Sequence, residues 1–171
     1  MKLENLKIHC ISLQSKRNER YKQISKYYNN LNLKEEIAID GNNKIYIKNL
    51  EKEMNLKFDD LASDSNKALF IKSVLLWKEH LKSNNDFLII IEDDLIPIKN
   101  FLYRFKLVTN ELPPNFDICV MIGVTFGKPN HYSNLLNAKT KFSCIGAYLL
   151  SKKGAKKLIK IAESKIIKTH N

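Results

Sequence analysis

With 171 residues, 44% of them hydrophobic and 27% charged, the chain has the length and composition of one soluble domain with a real core. The formal net charge of +11 rests on 26 Lys and only 3 Arg, which fits a solvated basic surface or an anionic membrane face. Base and phosphate recognition leans on Arg forks instead, so nucleic acid is not an expected partner. Cys10, Cys119 and Cys144 lie far apart, and the four His are scattered, which excludes a disulfide framework and a Cys/His metal site.

The start, MKLENLKIHCISLQ, lacks the apolar core of a signal peptide. Phe87 to Ile91, the longest apolar run, is too short to span a bilayer. The expected location is cytoplasmic, with weak association at the inner membrane face as the alternative that the charge leaves open.

Leu6 to Leu13 (LKIHCISL) reads as a buried first strand, followed by the polar loop SKRNER. Arg20 to Leu31 carries apolar residues at helical spacing, and Lys34 to Asp40 (KEEIAID) reads as a second strand closed by Gly41-Asn42-Asn43. Residues 44–66 show no clear pattern. Lys67 to Lys82 is the strongest helix, with Asp64 or Ser65 available to cap it. Phe87 to Ile91 is the central strand, Asn100 to Leu112 a helix, and Asp117 to Val124 and Phe142 to Leu150 two more strands. Lys152 to Lys168 is a last, basic helix. Alternating strands and helices predict a single α/β domain over residues 1–171, a helix-flanked sandwich with a largely parallel sheet.

The stretch DFLIIIEDDLIP, 86–97, ends an apolar strand in Glu92, Asp93 and Asp94. Strand alternation puts Glu92 and Asp94 on one side and Asp93 on the other. They fall at the carboxyl end of a central strand, where open α/β sheets bind ligands. Like charges this close repel, and carboxylates at such a lip suit a hard divalent cation, Mg²⁺ or Mn²⁺, which in turn suits a diphosphate. The plain alternative is a solvated acidic turn.

Four segments in chain order, ISLQSKRNER at 11–20, IAIDG at 37–41, the Trp77 helix followed by LIIIEDDLIP, and AYLLSKKGAKKL at 147–158, resemble glycosyltransferase family 25. That family includes bacterial lipooligosaccharide galactosyltransferases and collagen galactosyltransferases. The resemblance implies a GT-A fold that binds a UDP-sugar through Mn²⁺ or Mg²⁺ and moves a hexose, galactose or glucose, to a hydroxyl of a glycan or glycoprotein. Carried onto this chain, Asp94 and Glu92 would hold the metal. Asp93, Arg17, Arg20, Asp40 and Ser12 would line the donor, with Asp117 and Tyr148 standing behind them.

Several of these residues have plainer roles open to them. Arg17 and Arg20 also suit a brace against a nearby acid at a helix start, and Asp40 before Gly41 suits a turn. Asp117 suits a strand start, Ser151 a helix N-cap and Trp77 the core. ALFIKS at 68–73 lacks the Gly, Cys and His usual there in the family. Family members usually run on beyond the position of Asn171, so a C-terminally truncated domain is expected. No catalytic base is named. A degenerate nucleotide-sugar-binding module and a nucleotidyltransferase are the alternatives, the second weakened by the absence of glycine from SKRNER.

Overall fold

The structure, a computed structural model, describes residues 7–13, 19–28, 31–125 and 142–168, with 123–125 and 142–145 described by backbone alone. In chain order the elements are β1 (Lys7–Ser12), α1 (Arg20–Tyr27), β2 (Asn32–Ile37), α2 (Lys44–Glu53), β3 (Lys57–Phe58) and α3 (Asp64–Lys82). They continue with β4 (Phe87–Glu92), α4 (Phe101–Glu111), β5 (Ile118–Thr125), β6 (Phe142–Ser151), α5 (Lys152–Ser164) and β7 (Ile166–Ile167).

Five strands form one sheet in the order β2-β1-β4-β6-β5. β1 pairs in parallel with both β2 and β4, while β6 pairs antiparallel with β4 and with β5. The sheet is therefore mixed, with β6 alone running against the other four strands. β4 reads as an apolar run, and β1 is buried nearly from end to end with His9 and Ser12 included, because the sheet is covered on both faces. Leu88 and Ile90 join Ile11, Tyr148 and Leu150 in a cluster with α2, α3 and α5. The alternate residues Ile89 and Ile91 join Ile8, Cys10 and Leu149 against Ile24 and Tyr28 beside α1 and Phe105 of α4.

Several elements differ from the sequence expectation, each for a local reason. Residues 44–66 contain a helix, α2, whose side chains bury only Ile47 and Leu50, too few to set a visible period. The long helix is capped by Ser63, whose side chain accepts from the Asn66 amide, in place of Asp64 or Ser65. The second strand is Asn32–Ile37, not Lys34 to Asp40, because its ladder to β1 fixes that register and ends at the Ala38 amide bonding Ser12 O. The last helix stops at Ser164. Ile166–Ile167 turn away to pair in parallel with Lys57–Phe58.

At β2 a buried carboxylate explains an otherwise odd NLKEEI strand. Glu36 is 6% exposed and accepts from His9 Nδ1 at 2.8 Å, Lys34 Nζ at 2.7 Å and Lys72 Nζ at 3.1 Å. Burial alone would raise its pKa, but these three partners hold it down at about 2. The cluster ties β1, β2 and α3 together. It occupies Lys72, which stands in the ALFIKS stretch.

Candidate functional site

β1 is the first strand of the sheet, and its two neighbours lie on opposite sides, β2 on one and β4 on the other. The chain reverses its direction of travel across the sheet between them. A crevice opens at such a point, outside the carboxyl ends of the strands. The pairs Ile11↔Glu92 and Ser12↔Ile37 put the ends of β1, β2 and β4 on one edge. The three acids stand at that edge, beside Ser12.

Glu92 is the last residue of β4, and Asp93-Asp94 form the turn that follows. Strand alternation therefore governs Glu92 but gives no rule for Asp94. Asp93 lies on the α1 side: its Oδ2 accepts from Ser12 Oγ at 3.0 Å, and its Oδ1 is 3.5 Å from Arg20 Nη1. Ser12 is buried, and Arg20 opens α1. Glu92 takes the α3 side, the side of Ile90 and its ladder partner Tyr148.

Among the described residues Glu92 and Asp94 have no cation and no hydrogen-bond donor against them. Burial, then the charges of Asp94 and Asp93, raise the Glu92 pKa above the usual carboxylate range. Asp94 is exposed. The edge thus holds one acid neutralised from within the protein and two that are not.

Tyr148 stands behind Glu92. It accepts a hydrogen bond from Trp77 Nε1 at 2.9 Å, and burial pushes its pKa up to about 12, so it stays a neutral phenol. Trp77 is in the core, edge-on to Phe70. Cys10 lies below Ser12, its thiol pushed up to about 12 by burial and by Asp93, Glu35 and Asp94. A thiol so placed is not a nucleophile at neutral pH.

Two other candidates have local partners of their own, Asp40 in the turn after β2 and Asp117 before β5. Asp40 is exposed and its Oδ1 accepts from the Asn42 amide at 2.9 Å, the bond of an Asx turn. Asp117 precedes β5 level with Ser151 and Phe87, at the opposite edge of the sheet and roughly 16 Å along the strands from Glu92. It pairs there with Lys157. Arg17 lies outside the described residues. Ser151 caps α5, accepting from the Gly154 amide at 3.0 Å.

Among the described residues no three His, Cys, Asp or Glu side chains converge as a cage for a metal ion. Among the described residues the acids therefore do not form a dedicated all-protein site. Mg²⁺-type ions bind through one or two carboxylates, with water and substrate phosphate completing the shell. Two uncompensated carboxylates, one of them held in place by a strand and repelled by its neighbours, fit that kind of ion. No protein-family model matches the chain, and no curated protein matches it significantly.

Proposed function

We propose that the protein is a metal-dependent glycosyltransferase of GT-A type, moving a hexose from a UDP-sugar to a hydroxyl of a glycan or glycoprotein. One observation carries this reading: at the switch point of the sheet Asp93 is gripped by Ser12 and Arg20 while Glu92 and Asp94 are left without a protein cation. The resemblance of the surrounding segments to glycosyltransferase family 25 points the same way.

In this reading Glu92 and Asp94 would hold Mn²⁺ or Mg²⁺, whose charge would offset that collecting on a departing diphosphate. The chain's own residues do the rest. Ser12 and Arg20 fix Asp93, so the turn after β4 is set before a ligand arrives and less ordering is required on binding. Arg20, itself part-exposed at the start of α1, can extend its remaining guanidinium donors toward a phosphate. Tyr148 and Trp77 brace the back of β4 beneath Glu92.

The test is a panel of UDP-sugars with and without Mn²⁺, read by thermal shift and by release of UDP. A Mn²⁺-dependent stabilisation with release of UDP from one donor is expected. Stabilisation without release would mark a nucleotide-sugar-binding module, and no response to any donor would defeat the reading.

A further inference from the structure

The stretch that follows the acids carries a second feature, independent of the transferase reading. From Leu95 to Asn110 there is no acidic residue, while Lys99, Arg104 and Lys106 supply three cations. Over the same stretch large apolar side chains face solvent: Ile96 is 60% exposed, Ile98 59% and Tyr103 64%, with Leu102 also open. α4 has an inner side of its own, made by Phe105, which is buried, and by Phe101, which stacks on it at 5.7 Å. Leu102 and Lys106 stand one turn apart on α4, so an apolar and a cationic residue share one side there, and Lys99 is exposed in the turn just before the helix.

Aliphatic and tyrosyl side chains interleaved with lysine suit the plane between lipid headgroups and acyl chains. An uncharged protein partner would leave the three cations without counter-charges, and a nucleic acid would leave the isoleucines without an apolar medium. The geometry points to residues 96–107 as a docking surface for an anionic lipid bilayer, with the apolar side chains entering the interface and the cations meeting the headgroups. Such docking would lay the edge that bears Glu92 and Asp94 close to the membrane plane.

The more basic helix, α5, provides the contrast. Lys153, Lys156, Lys157 and Lys160 are exposed, while Lys152 is half-buried on Ser83 O; of its apolar residues Ala155, Ile159 and Ala162 are buried and Ile161 is exposed. The helix offers charge around a single exposed large apolar side chain, Ile161, where residues 96–103 offer four.

Co-sedimentation of the full chain with vesicles of neutral phosphatidylcholine, and of phosphatidylcholine containing anionic phosphatidylglycerol, tests the surface. Binding to the anionic vesicles alone is expected. Ile98→Ser with Leu102→Ser, or Lys99→Glu with Lys106→Glu, should each lower that binding by roughly tenfold or more. Lys156→Glu with Lys160→Glu on α5 should leave it nearly unchanged, and circular dichroism checks that each variant is folded. No binding to anionic vesicles would overturn the proposal, as would an equal loss from the α5 variant, which would mean diffuse attraction by net charge. A concentration-dependent dimer abolished by Ile98→Ser with Leu102→Ser, with vesicle binding unaffected, would assign the surface to a second copy of the chain and likewise overturn it.

Discussion

Ser12, the last residue of β1, donates a hydrogen bond of 3.0 Å to Asp93, 81 residues away in the turn after β4. This bond joins the two strands at the point where the fold reverses, and with the Arg20 ion pair it gives one of three neighbouring acids a partner within the protein. Removing it tests whether the turn is preset. Ser12→Ala deletes a buried hydroxyl bonded to a charged group, a loss of about 1.5–3 kcal/mol, read as a lower urea midpoint at unchanged slope. Any Mn²⁺-dependent response to UDP should weaken as well, because Asp93 is then free to turn toward its neighbours. An unchanged midpoint would mean that the turn holds its shape without Ser12.

Arg20 should behave differently. Its side chain is 42% exposed and its ion pair with Asp93 spans 3.5 Å, so Arg20→Ala should alter stability by less than about 1 kcal/mol. Its effect should appear in nucleotide binding, seen as a smaller thermal shift with UDP. A large drop in melting temperature with an unaltered UDP response would make Arg20 a structural brace only.

Glu36 sets the acid limit of the fold. Its pKa is held at about 2 against an ordinary value of 4.5, so the unfolded chain binds more protons than the folded one between those values. The stabilisation is complete above pH 4.5 and is lost as pH falls toward 2, amounting to roughly 3 kcal/mol at most. Chemical denaturation of Glu36→Gln and of the unaltered chain should therefore converge near pH 2 and differ most near neutrality. A gap independent of pH would show that packing, not the ion cluster, is what the substitution disturbs. Glu92 has the opposite sign: its raised pKa means that ionising it destabilises the fold as pH rises.

Much of the fold can be read from residue patterns, and the reasons for the exceptions are physical. FLIIIE betrays a buried strand because both faces are covered, and the period of α3 is plain because one side of it is core. Nothing in an apolar run states a strand's direction, so the antiparallel placement of β6 was not legible. The second strand is legible but its bounds are not, because the buried position of Asn32–Ile37 is a glutamate, made tolerable by His9, Lys34 and Lys72. Ile166–Ile167 continue the helical spacing of α5, which predicts helix there, yet their backbone pairs with β3. For the site, the acids and their edge were visible. The division of labour among them was not, since it depends on a contact between residues 12 and 93. Asp117 shares a residue type with the acids but stands at the other edge, a separation set by strand direction.

Gly154 supplies a control within the fold. A Cβ there would collide with the backbone carbonyl of Asp117, far inside van der Waals contact. Backbone held by Ser151, which donates to Phe116 O at 2.7 Å, cannot easily move aside. Gly154→Ala should therefore destabilise by about 1–3 kcal/mol despite its better helix propensity. A protein stabilised by this change would show that α5 can lift away from β5.

Asp94→Asn bears most directly on function. The substitution keeps the size and nearly the shape of the side chain but removes the charge that a hard cation requires. Asp94 is exposed in the turn and, among the described residues, has no protein partner to lose. It also contributes to raising the Glu92 pKa, so its neutralisation relieves repulsion at the end of β4. The melting temperature of the metal-free protein should therefore stay level or rise slightly. Mn²⁺ binding, followed by titration calorimetry, should fall by an order of magnitude or more, about 1.4 kcal/mol per tenfold, and Mn²⁺-dependent UDP binding should fall with it. Functional loss at equal or higher stability distinguishes a ligand site from a structural ion pair. If Asp94→Asn sharply lowers the melting temperature while Mn²⁺-dependent UDP binding persists, the acids belong to the scaffold and the metal lies elsewhere.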